Sequence, residues 1–289
     1  MEEVSGRVAS GESRPIDVRW LIGLLVAALT TVVLIHIYSR EEGVRTYAVR
    51  TIEMQVDSLS QIVLVNDSLV QPILYSHIPG LESVRAEQAK TLFISALLPS
   101  VLIVKHSVEQ EAARLRHLLA KERWTAKDSA FYEAQRSRYN ASNPENLLTR
   151  MMTLPNSIVL AQAAVETGWG RSRFFLEANN VFGIWSYNAD EPRMRAGLMR
   201  DSVEIYVRSY ENLAQSIQDY FRTLGSARAY RGLRTARLNT NDPFRLLPYL
   251  GRYSERGIEY TFQLRTIIEQ NDLTRFDHFR IDPKYLVEE

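Results

Sequence analysis

Apolar and polar positions divide the chain into segments of different character. An unbroken apolar run extends over residues 20–38 and contains no Asp, Glu, Lys or Arg. Between residues 44 and 74 apolar side chains recur at mixed spacing, which suits helix and strand equally well. Helical spacing then predicts a long helix between residues 82 and 123, which Pro99 is expected to kink or split.

The second half of the chain has a sharper pattern. The polar stretch 125–146 ends in Asn-Pro and indicates a loop that leads into the next helix. Beyond it, one segment alternates between apolar and polar residues, as a strand of a small β-hairpin would. The pattern predicts helices over 147–153 and 157–167, a strand over 203–210, and helices near 212–224, 243–250 and 257–270. The predicted fold class is therefore α+β and mostly α.

The apolar run over residues 20–38 is long enough to cross a membrane. About 20 residues are needed at 1.5 Å per residue, and Trp20 and Tyr38 stand at its ends, where aromatic rings favour the interface. The alternative is a cleaved signal peptide, but the run is longer than is usual for one, and residues 37–41 lack a small-residue cleavage site. We therefore expect one uncleaved transmembrane helix that places residues 20–38 in the lipid bilayer.

The orientation of that helix is set by domain length more than by charge. Three arginines flank the run on each side, so the positive-inside rule barely discriminates. Long C-terminal domains are translocated regardless of charge, and the absence of cysteine permits an oxidising compartment. We expect the C-terminal domain to lie outside the cytoplasm.

Composition argues against several classes of function. The 35 basic and 34 acidic residues nearly cancel, so charge gives no sign of nucleic-acid binding. Without cysteine the chain has neither disulfides nor thiolate metal sites, and its five histidines show no metal-ligand spacing. We expect no metal and no cofactor.

One acidic residue departs from the usual rules of helix composition. The helix predicted over 157–167 begins after Pro155 with capping residues, stops at Gly168 and carries Glu166 in its last turn. A carboxylate there faces the negative end of the helix dipole and follows an almost wholly apolar helix, and both effects raise its pKa. A protonated carboxylic acid is what a glycosidase needs to protonate a leaving oxygen; the alternative is an ordinary exposed glutamate.

Two motifs around Glu166 carry a family resemblance. Residues 161–172 have the sequence AQAAVETGWGRS, and residues 179–184 have the sequence NNVFGI. The first resembles the signature of the glucosaminidases of glycoside hydrolase family 73, and the second resembles the continuation of that signature at the expected distance. Residues 90–99 and 253–257 resemble the Bax-type membrane or periplasmic branch of the family. The resemblance covers about residues 88–275.

The resemblance implies a lysozyme-like domain that acts on the glycan strands of peptidoglycan, with Glu166 as the general acid. Tyr260 matches the tyrosine of a C-terminal family motif that borders the active site, although the Pro and Ala of that motif are missing here. The expected organisation is a cytoplasmic tail (1–19), a transmembrane helix (20–38), a juxtamembrane segment (39–87), a lysozyme-like glucosaminidase domain (88–275) and a C-terminal tail (276–289).

Aromatic residues and one arginine are candidates for substrate binding. Trp169, Phe182 and Trp185 are expected around the floor of the cleft, whereas Tyr206, Arg208 and Tyr210 share one face of the predicted strand. Aromatic rings can stack on sugars, and arginine can bind the carboxylates of peptides. The alternative for these rings and for Tyr260 is packing in the hydrophobic core.

The second catalytic carboxylate is the weak point of the resemblance. Relatives carry it in a β-hairpin after the segment that matches residues 179–184, and this chain has no recognisable copy of that acidic motif. Glu191 lies at the entry to the hairpin, and Glu204 lies on its return strand on the same face as Tyr206 and Tyr210. We favour Glu204, because a regular strand holds a side chain more firmly than a loop. The alternative is that Glu204 only forms a solvated ion pair with an arginine.

The leading hypothesis is a peptidoglycan hydrolase that cleaves the β-1,4 bond after N-acetylglucosamine by general acid catalysis. A lytic transglycosylase would cut the other glycan bond with one essential glutamate and no water. A non-catalytic scaffold that binds the cell wall is the third alternative. For all three we expect a single-pass protein of the bacterial inner membrane with its C-terminal domain in the periplasm.

Overall fold

The computed structural model describes residues 28–31, 46–200 and 203–288, with no side-chain detail for 198–200 and 203. Residues 28–31 are helical. The rest of the expected membrane span and the expected cytoplasmic tail lie outside the described residues. From residue 46 onward, the described chain belongs to one compact unit, Val44–Glu289.

Helices make up most of that unit. They are α1 (Ala86–Ala120), α2 (Ala126–Arg138), α3 (Pro144–Arg150), α4 (Asn156–Thr167), α5 (Arg173–Ala178), α6 (Leu213–Ser226), α7 (Arg231–Asn239), α8 (Pro243–Leu246) and α9 (Ile258–Gln270). Short 3-10 helices lie at Leu59–Gln61, Arg228–Tyr230, Leu247–Tyr253, Leu273–Phe276 and Pro283–Tyr285.

The strands are short and form small sheets. They are β1 (Tyr47–Val49), β2 (Ile52–Gln55), β3 (Leu69–Val70), β4 (Ile73–His77), β5 (Trp185–Ser186), β6 (Arg193–Arg200), β7 (Val203–Arg208), β8 (Arg280–Ile281) and β9 (Leu286–Glu288). The antiparallel pair β6–β7 is the predicted hairpin, and β5 adds to its β7 edge. The prediction of a mostly helical α+β fold with a small β-hairpin is confirmed.

Helix α1 is the central helix of the hydrophobic core. It packs against α4 and α6, and its middle third is buried. Pro99 was expected to kink or split this helix, and the helix continues through it without a split. The residues on both sides of Pro99 are buried, and their packing offsets the one backbone hydrogen bond that proline removes. Among the described residues, α1 is the helix long and apolar enough to span a membrane, but most of its apolar stretch is buried inside the domain.

Three helices, α2, α5 and α7, were not predicted from the sequence. Helix α2 occupies part of the stretch that was expected to be a loop, and a capping box starts it: the Thr125 hydroxyl accepts from the Asp128 amide, and the Asp128 carboxylate accepts from the Thr125 amide. Helix α7 buries only Leu233 and Arg234. Helices α2 and α7 lie largely on the surface, so neither has the apolar stripe on which a sequence prediction depends.

The two ends of the compact unit pair with each other. Strand β1 runs antiparallel to β9, and β3 runs parallel to β8. The Nε2 atom of His106, in α1, lies 2.8 Å from the Tyr47 carbonyl oxygen. Residues expected to form a juxtamembrane segment and a C-terminal tail therefore contribute strands to the same unit as the helices.

Candidate active site

Helix α4 is held at its N-terminus by a residue from the far end of the chain. Pro155 occupies the N-cap position and offers no capping side chain. The Asp277 carboxylate instead accepts hydrogen bonds from the Ser157 amide at 2.7 Å and the Ser157 hydroxyl at 2.9 Å. An acidic group at this end also complements the helix dipole. The sequence placed the start of the helix correctly but missed Asp277, which lies 120 positions away.

A left-handed turn ends α4 directly after its acidic residue. Gly168 adopts φ 58°, as predicted for the C-cap, and the Thr167 hydroxyl accepts a hydrogen bond from the Gly170 amide at 2.9 Å. A Cβ atom on Gly170 would lie 2.9 Å from the Phe93 ring, so the turn needs glycine there for space as well as for its φ of 81°. Much of the motif around Glu166 thus serves to end the helix in a fixed position.

Glu166 is half-buried in the last turn of α4, and one of its oxygens is held by a tyrosine. The Tyr260 hydroxyl, from α9, donates to Glu166 Oε1 at 2.8 Å. Tyr260 is fully buried, and its own oxygen accepts from the Gln162 amide nitrogen at 3.0 Å. The oxygen of the same Gln162 amide accepts from the Tyr220 hydroxyl at 2.6 Å. A chain of hydrogen bonds therefore runs in one direction, from Tyr220 through Gln162 and Tyr260 to Glu166.

The direction of this chain decides which Glu166 oxygen carries the proton. Because Gln162 donates to the Tyr260 oxygen, the Tyr260 proton points at Glu166 Oε1, which can then only accept. In the protonated acid the hydrogen therefore sits on Oε2. Burial raises the pKa of Glu166 above its usual range, whereas the Tyr260 hydrogen bond and the positive charge of Arg256 act in the opposite direction.

Aromatic rings surround this carboxyl group. Tyr253 stacks on Tyr260 with ring centroids 5.8 Å apart, and Phe182 stacks on Tyr220 at 4.0 Å. Burial and the nearby Glu166 charge raise the pKa of Tyr230 to about 12. These rings exclude water from one side of the acid, which is the physical source of its raised pKa.

The second motif, residues 179–184, fixes the loop that carries Phe182. The side-chain amide of Asn179 donates to the carbonyls of Ser76 and Tyr210, both at 2.9 Å. Asn180 is buried and donates to the carbonyls of Ile184 and Arg208. Both asparagines therefore satisfy backbone groups and position the loop, and neither side chain is directed at a ligand by these contacts.

A cleft of about 1260 Å³ begins at the aromatic rings around Glu166. Phe182, Tyr230 and Tyr253 line its inner end, and Trp185 and Tyr187 line its wall. Trp185 is exposed, and Tyr187 is 85% exposed, so both present ring surface to a ligand. Glu166 itself is not among the lining residues, but it is close to two of them: after burial, its charge helps to raise the pKa of Tyr230 and Tyr253.

The structure separates the three aromatic residues that were expected around the cleft floor. Phe182 and Trp185 line the cleft, but Trp169 is half-buried against the core. Its ring meets Phe93 edge-on at 5.8 Å, with the Lys90 ammonium group 5.5 Å from its centroid. These contacts agree with the alternative that Trp169 packs against the hydrophobic core.

The β-hairpin presents its charged residues in ion pairs. Glu204 is exposed, pairs with Arg195 and accepts from the Tyr206 hydroxyl at 2.8 Å. Glu191 pairs with Arg208 at 3.2 Å. Glu204 therefore makes the ion pair with an arginine that was weighed as the alternative to a catalytic role, and Glu191 makes one too.

A buried aspartate accepts hydrogen bonds from two further polar residues at the end of the hairpin. Asp219, in α6, accepts from Arg208 at 2.6 Å and from the Tyr210 hydroxyl at 2.7 Å, and also pairs with Arg222. Arg208 and Tyr210 thus lie close together, as residues on one strand face would. Both donate to Asp219, a carboxylate that the sequence analysis did not identify. Arg208 lines the cleft, whereas Tyr206 has the Arg193 guanidinium 4.1 Å from its ring centroid.

Several residues of the site escaped prediction: Tyr187, Tyr230 and Tyr253 in the cleft, and Gln162, Tyr220, Arg256 and Asp219. Gln162 and Asp219 offered a signal, because each is a polar residue on an otherwise apolar helix face. Tyr220 followed the apolar period of its helix and so resembled core. Arg256 sat within the matched segment 253–257 without an assigned role; its guanidinium lies 5.4 Å from the Tyr260 ring centroid.

A half-buried carboxylic acid with a raised pKa, beside a cleft walled by exposed aromatic rings, is the arrangement of a glycoside hydrolase. Residues 145–273 match the family model of mannosyl-glycoprotein endo-beta-N-acetylglucosaminidase. Over that part of the chain the protein is therefore similar to the glucosaminidase family.

Solved structures provide further likenesses. The catalytic domain of the autolysin Auto from Listeria monocytogenes is 24% identical with a TM-score of 0.37, over 58% of this chain and 97% of that one. A peptidoglycan hydrolase from Sphingomonas sp. A1 is 24% identical with a TM-score of 0.35, over 49% and 92%. A C-terminally truncated glycoside hydrolase domain of FlgJ from Salmonella typhimurium is 19% identical with a TM-score of 0.34, over 48% and 97%. No curated protein matches the chain significantly.

Proposed function

We propose that this protein is a peptidoglycan hydrolase that cleaves the β-1,4 bond following N-acetylglucosamine, with Glu166 as general acid. The observation that carries this proposal is the half-buried Glu166, whose Oε1 is held by Tyr260 and whose pKa is raised by burial. The similarity of residues 145–273 to the glucosaminidase family supports the choice of bond. The names of the similar structures support peptidoglycan as the substrate.

The proposed chemistry uses the two Glu166 oxygens differently. Oε2 gives its proton to the glycosidic oxygen while the bond from that oxygen to the anomeric carbon breaks. The negative charge left on Glu166 is then stabilised by the Tyr260 hydroxyl and by Arg256. Water adds to the anomeric carbon, and its proton passes to a second base or returns to Glu166.

The cleft supplies sugar-binding surface next to this acid. Trp185 and Tyr187 are the exposed rings of its wall, with centroids 6.2 Å apart, and rings of this kind stack on the apolar faces of sugars. Phe182 and Tyr253 form the inner end, closest to Glu166. A glycan strand that occupies the cleft would thus end at the aromatic rings that stand next to Glu166.

For the second catalytic group we propose Glu204, with Glu191 as its rival. Each of these two carboxylates forms an ion pair with an arginine. The Glu204 side chain is 40% exposed and the Glu191 side chain is 23% exposed. An exposed carboxylate on a hairpin can meet a water molecule on the far side of a bound sugar. Tyr206 and Arg195 would keep its position defined.

A lytic transglycosylase is the second candidate, and the hairpin ion pairs are the observation that favours it. Such an enzyme needs one glutamate that acts first as acid and then as base, and Glu166 meets that requirement without help from Glu191 or Glu204. The two candidates leave different products. Hydrolysis after N-acetylglucosamine leaves a free reducing N-acetylglucosamine end, whereas transglycosylation leaves a 1,6-anhydro end.

The experiment that tests the proposal is digestion of purified sacculi by the full chain in detergent, with the released fragments analysed by mass spectrometry. We expect fragments that end in reducing N-acetylglucosamine. Fragments that end in 1,6-anhydro sugars would favour the second candidate. Binding to sacculi with no fragment released would indicate the non-catalytic scaffold instead.

We also propose that residues 20–38 anchor the protein in the inner membrane, with the domain in the periplasm. The support is the uncharged run of that length and its aromatic ends. Alkaline phosphatase fused after Glu289 should be active, because it folds only outside the cytoplasm. An inactive phosphatase fusion together with an active cytoplasmic reporter at the same position would reverse the orientation.

A further inference from the structure

The lining of the cleft is strongly basic. Seven arginines line the cleft, and its lining, within the described part of the chain, includes no Asp, Glu or Lys. Its inner end holds the rings next to Glu166, and the turn that carries Tyr230 also carries Arg228. The positive charge therefore adjoins the proposed reaction site.

Carboxylates from outside the cleft neutralise only part of this charge. Asp219 holds Arg208 and Arg222, Glu191 also holds Arg208, and Glu111 holds Arg138. Three carboxylates against seven guanidinium groups leave four positive charges without a paired acid among the described residues. The four residues that carry them are Arg150, Arg228, Arg231 and Arg234, which together we name the arginine arm.

Two members of the arginine arm are fixed by the backbone. Arg150 donates to the carbonyls of Tyr139, Gly225 and Ser226, and Arg234 donates to those of Leu224 and Ala227. Their charges thus cap the C-terminal carbonyls of α6 and cannot move away. Burial lowers the pKa of Arg234, and the positive charges of Arg150 and Arg231 lower it further.

The other two members are free to bind a ligand. Arg228 and Arg231 are exposed and three residues apart, at the start of a 3-10 turn and at the start of α7. Guanidinium groups bind carboxylates through paired hydrogen bonds, and fixed positive charges behind them strengthen the attraction for an anion. A neutral sugar chain would gain little from such a surface.

We propose that the arginine arm binds the carboxylates of peptide stems attached to the glycan strand, so that the enzyme selects strands that still bear their stems. This inference rests on the proposed function, because it assumes a peptidoglycan strand in the cleft. The aromatic wall contacts the sugars, and the arginine arm contacts the acidic peptides that branch from them. Selectivity for stem-bearing strands is therefore a property of the cleft and not of Glu166.

The test compares stem-bearing glycan strands with the same strands stripped of peptides by an amidase, which leaves one lactyl carboxylate on each muramic acid in place of the several carboxylates of each stem. The full chain in detergent is assayed as parent, as the double variant Arg228→Gln/Arg231→Gln, and as the control Arg116→Gln/Arg280→Gln. The control removes two exposed arginines that lie outside the cleft. The measured quantity is the ratio of kcat/KM on stem-bearing strands to kcat/KM on stripped strands.

We expect the parent and the control to share a ratio well above one, which falls as salt is added. In Arg228→Gln/Arg231→Gln the ratio should fall roughly three- to tenfold, the effect of losing two exposed charge pairs. An equal ratio in parent and double variant would overturn the inference while leaving the proposed function intact. A parent protein that cleaves neither substrate would instead overturn the proposed function.

Discussion

The side-chain amide of Gln162 donates to the Tyr260 hydroxyl oxygen over 3.0 Å, with both side chains buried. This contact fixes the direction in which Tyr260 points its own proton, which is toward Glu166. The acid therefore has one oxygen committed to accepting a hydrogen bond and one oxygen available as a donor. The site thus depends on a glutamine whose side chain is held between Tyr220 and Tyr260.

Removal of the tyrosine hydroxyl tests this relationship. Tyr260→Phe deletes the hydrogen bond that lowers the pKa of Glu166, so that pKa should rise further. The alkaline limb of the pH–rate profile, where the acid loses its proton, should move to higher pH, and kcat at its optimum should fall about tenfold or more. The control is Tyr249→Phe, which alters an exposed tyrosine outside the chain of hydrogen bonds. An unmoved alkaline limb in Tyr260→Phe would contradict the assignment.

The raised pKa of Glu166 also predicts how stability depends on pH. An acid whose pKa is higher in the folded state stabilises the fold fully below its unfolded value, near 4.5. That stability is lost as the pH rises through the folded pKa. Glu166→Gln carries no charge at any pH and keeps an oxygen that can accept from Tyr260. The variant should therefore have a higher Tm than the parent at pH 8, and the difference should vanish near pH 4.

Thermal unfolding followed by circular dichroism measures that difference. The control is Glu145→Gln, which changes an exposed glutamate in the first turn of α3. Its Tm should track the parent across the same pH range. A Glu166→Gln protein less stable than the parent at pH 8 would mean that the ionised carboxylate is favoured by its surroundings.

The hairpin carboxylates give a prediction about the second catalytic group. If Glu204 serves as the base, Glu204→Gln should lower kcat on sacculi by roughly 10²-fold or more, whereas Glu191→Gln should change it less. Both variants leave an amide in place of a paired carboxylate, so each controls for the loss of an arginine contact. If both retain full activity, catalysis must rest on Glu166 with help from the substrate or from Tyr260.

The cap on the catalytic helix gives a prediction about stability. Asp277→Ala removes both hydrogen bonds to Ser157 and the acidic group at the N-terminus of α4. The free energy of unfolding should fall by about 1–2 kcal/mol. Urea denaturation measures it, with Asp190→Ala, an exposed hairpin-entry position, as the control. An unchanged midpoint would show that Ser157 and the helix end find other partners.

Sequence patterns predicted the parts of the fold in which local and tertiary preferences agree. Helix α4 has an apolar face, a proline before it and a glycine after it, so both its ends and the place of Glu166 were predictable. Helices α2 and α7 were missed because surface helices bury too little to leave an apolar stripe. That α1 continues through Pro99 could not be predicted, because the sequence does not show that the residues on both sides of the proline are buried.

The parts of the site that could not be predicted are contacts between residues far apart in the sequence. The match of Tyr260 to a family motif placed it near the acid, but its hydrogen bonds to Gln162 and Glu166 join residues almost 100 positions apart. Asp277 was assigned to a tail, yet it caps α4. Such pairings depend on the assembled fold, which periodicity and spacing do not encode.

The most direct test of the account is the turnover of sacculi by Glu166→Gln. The substitution keeps the size of the side chain and the acceptor for Tyr260, so the fold and glycan binding should persist, while the proton donor is lost. We predict a fall in kcat of roughly 10²–10⁴-fold, with Glu145→Gln at the parental rate and sacculus binding retained in both. Release of reducing N-acetylglucosamine ends by Glu166→Gln at a near-parental rate would contradict the central claim.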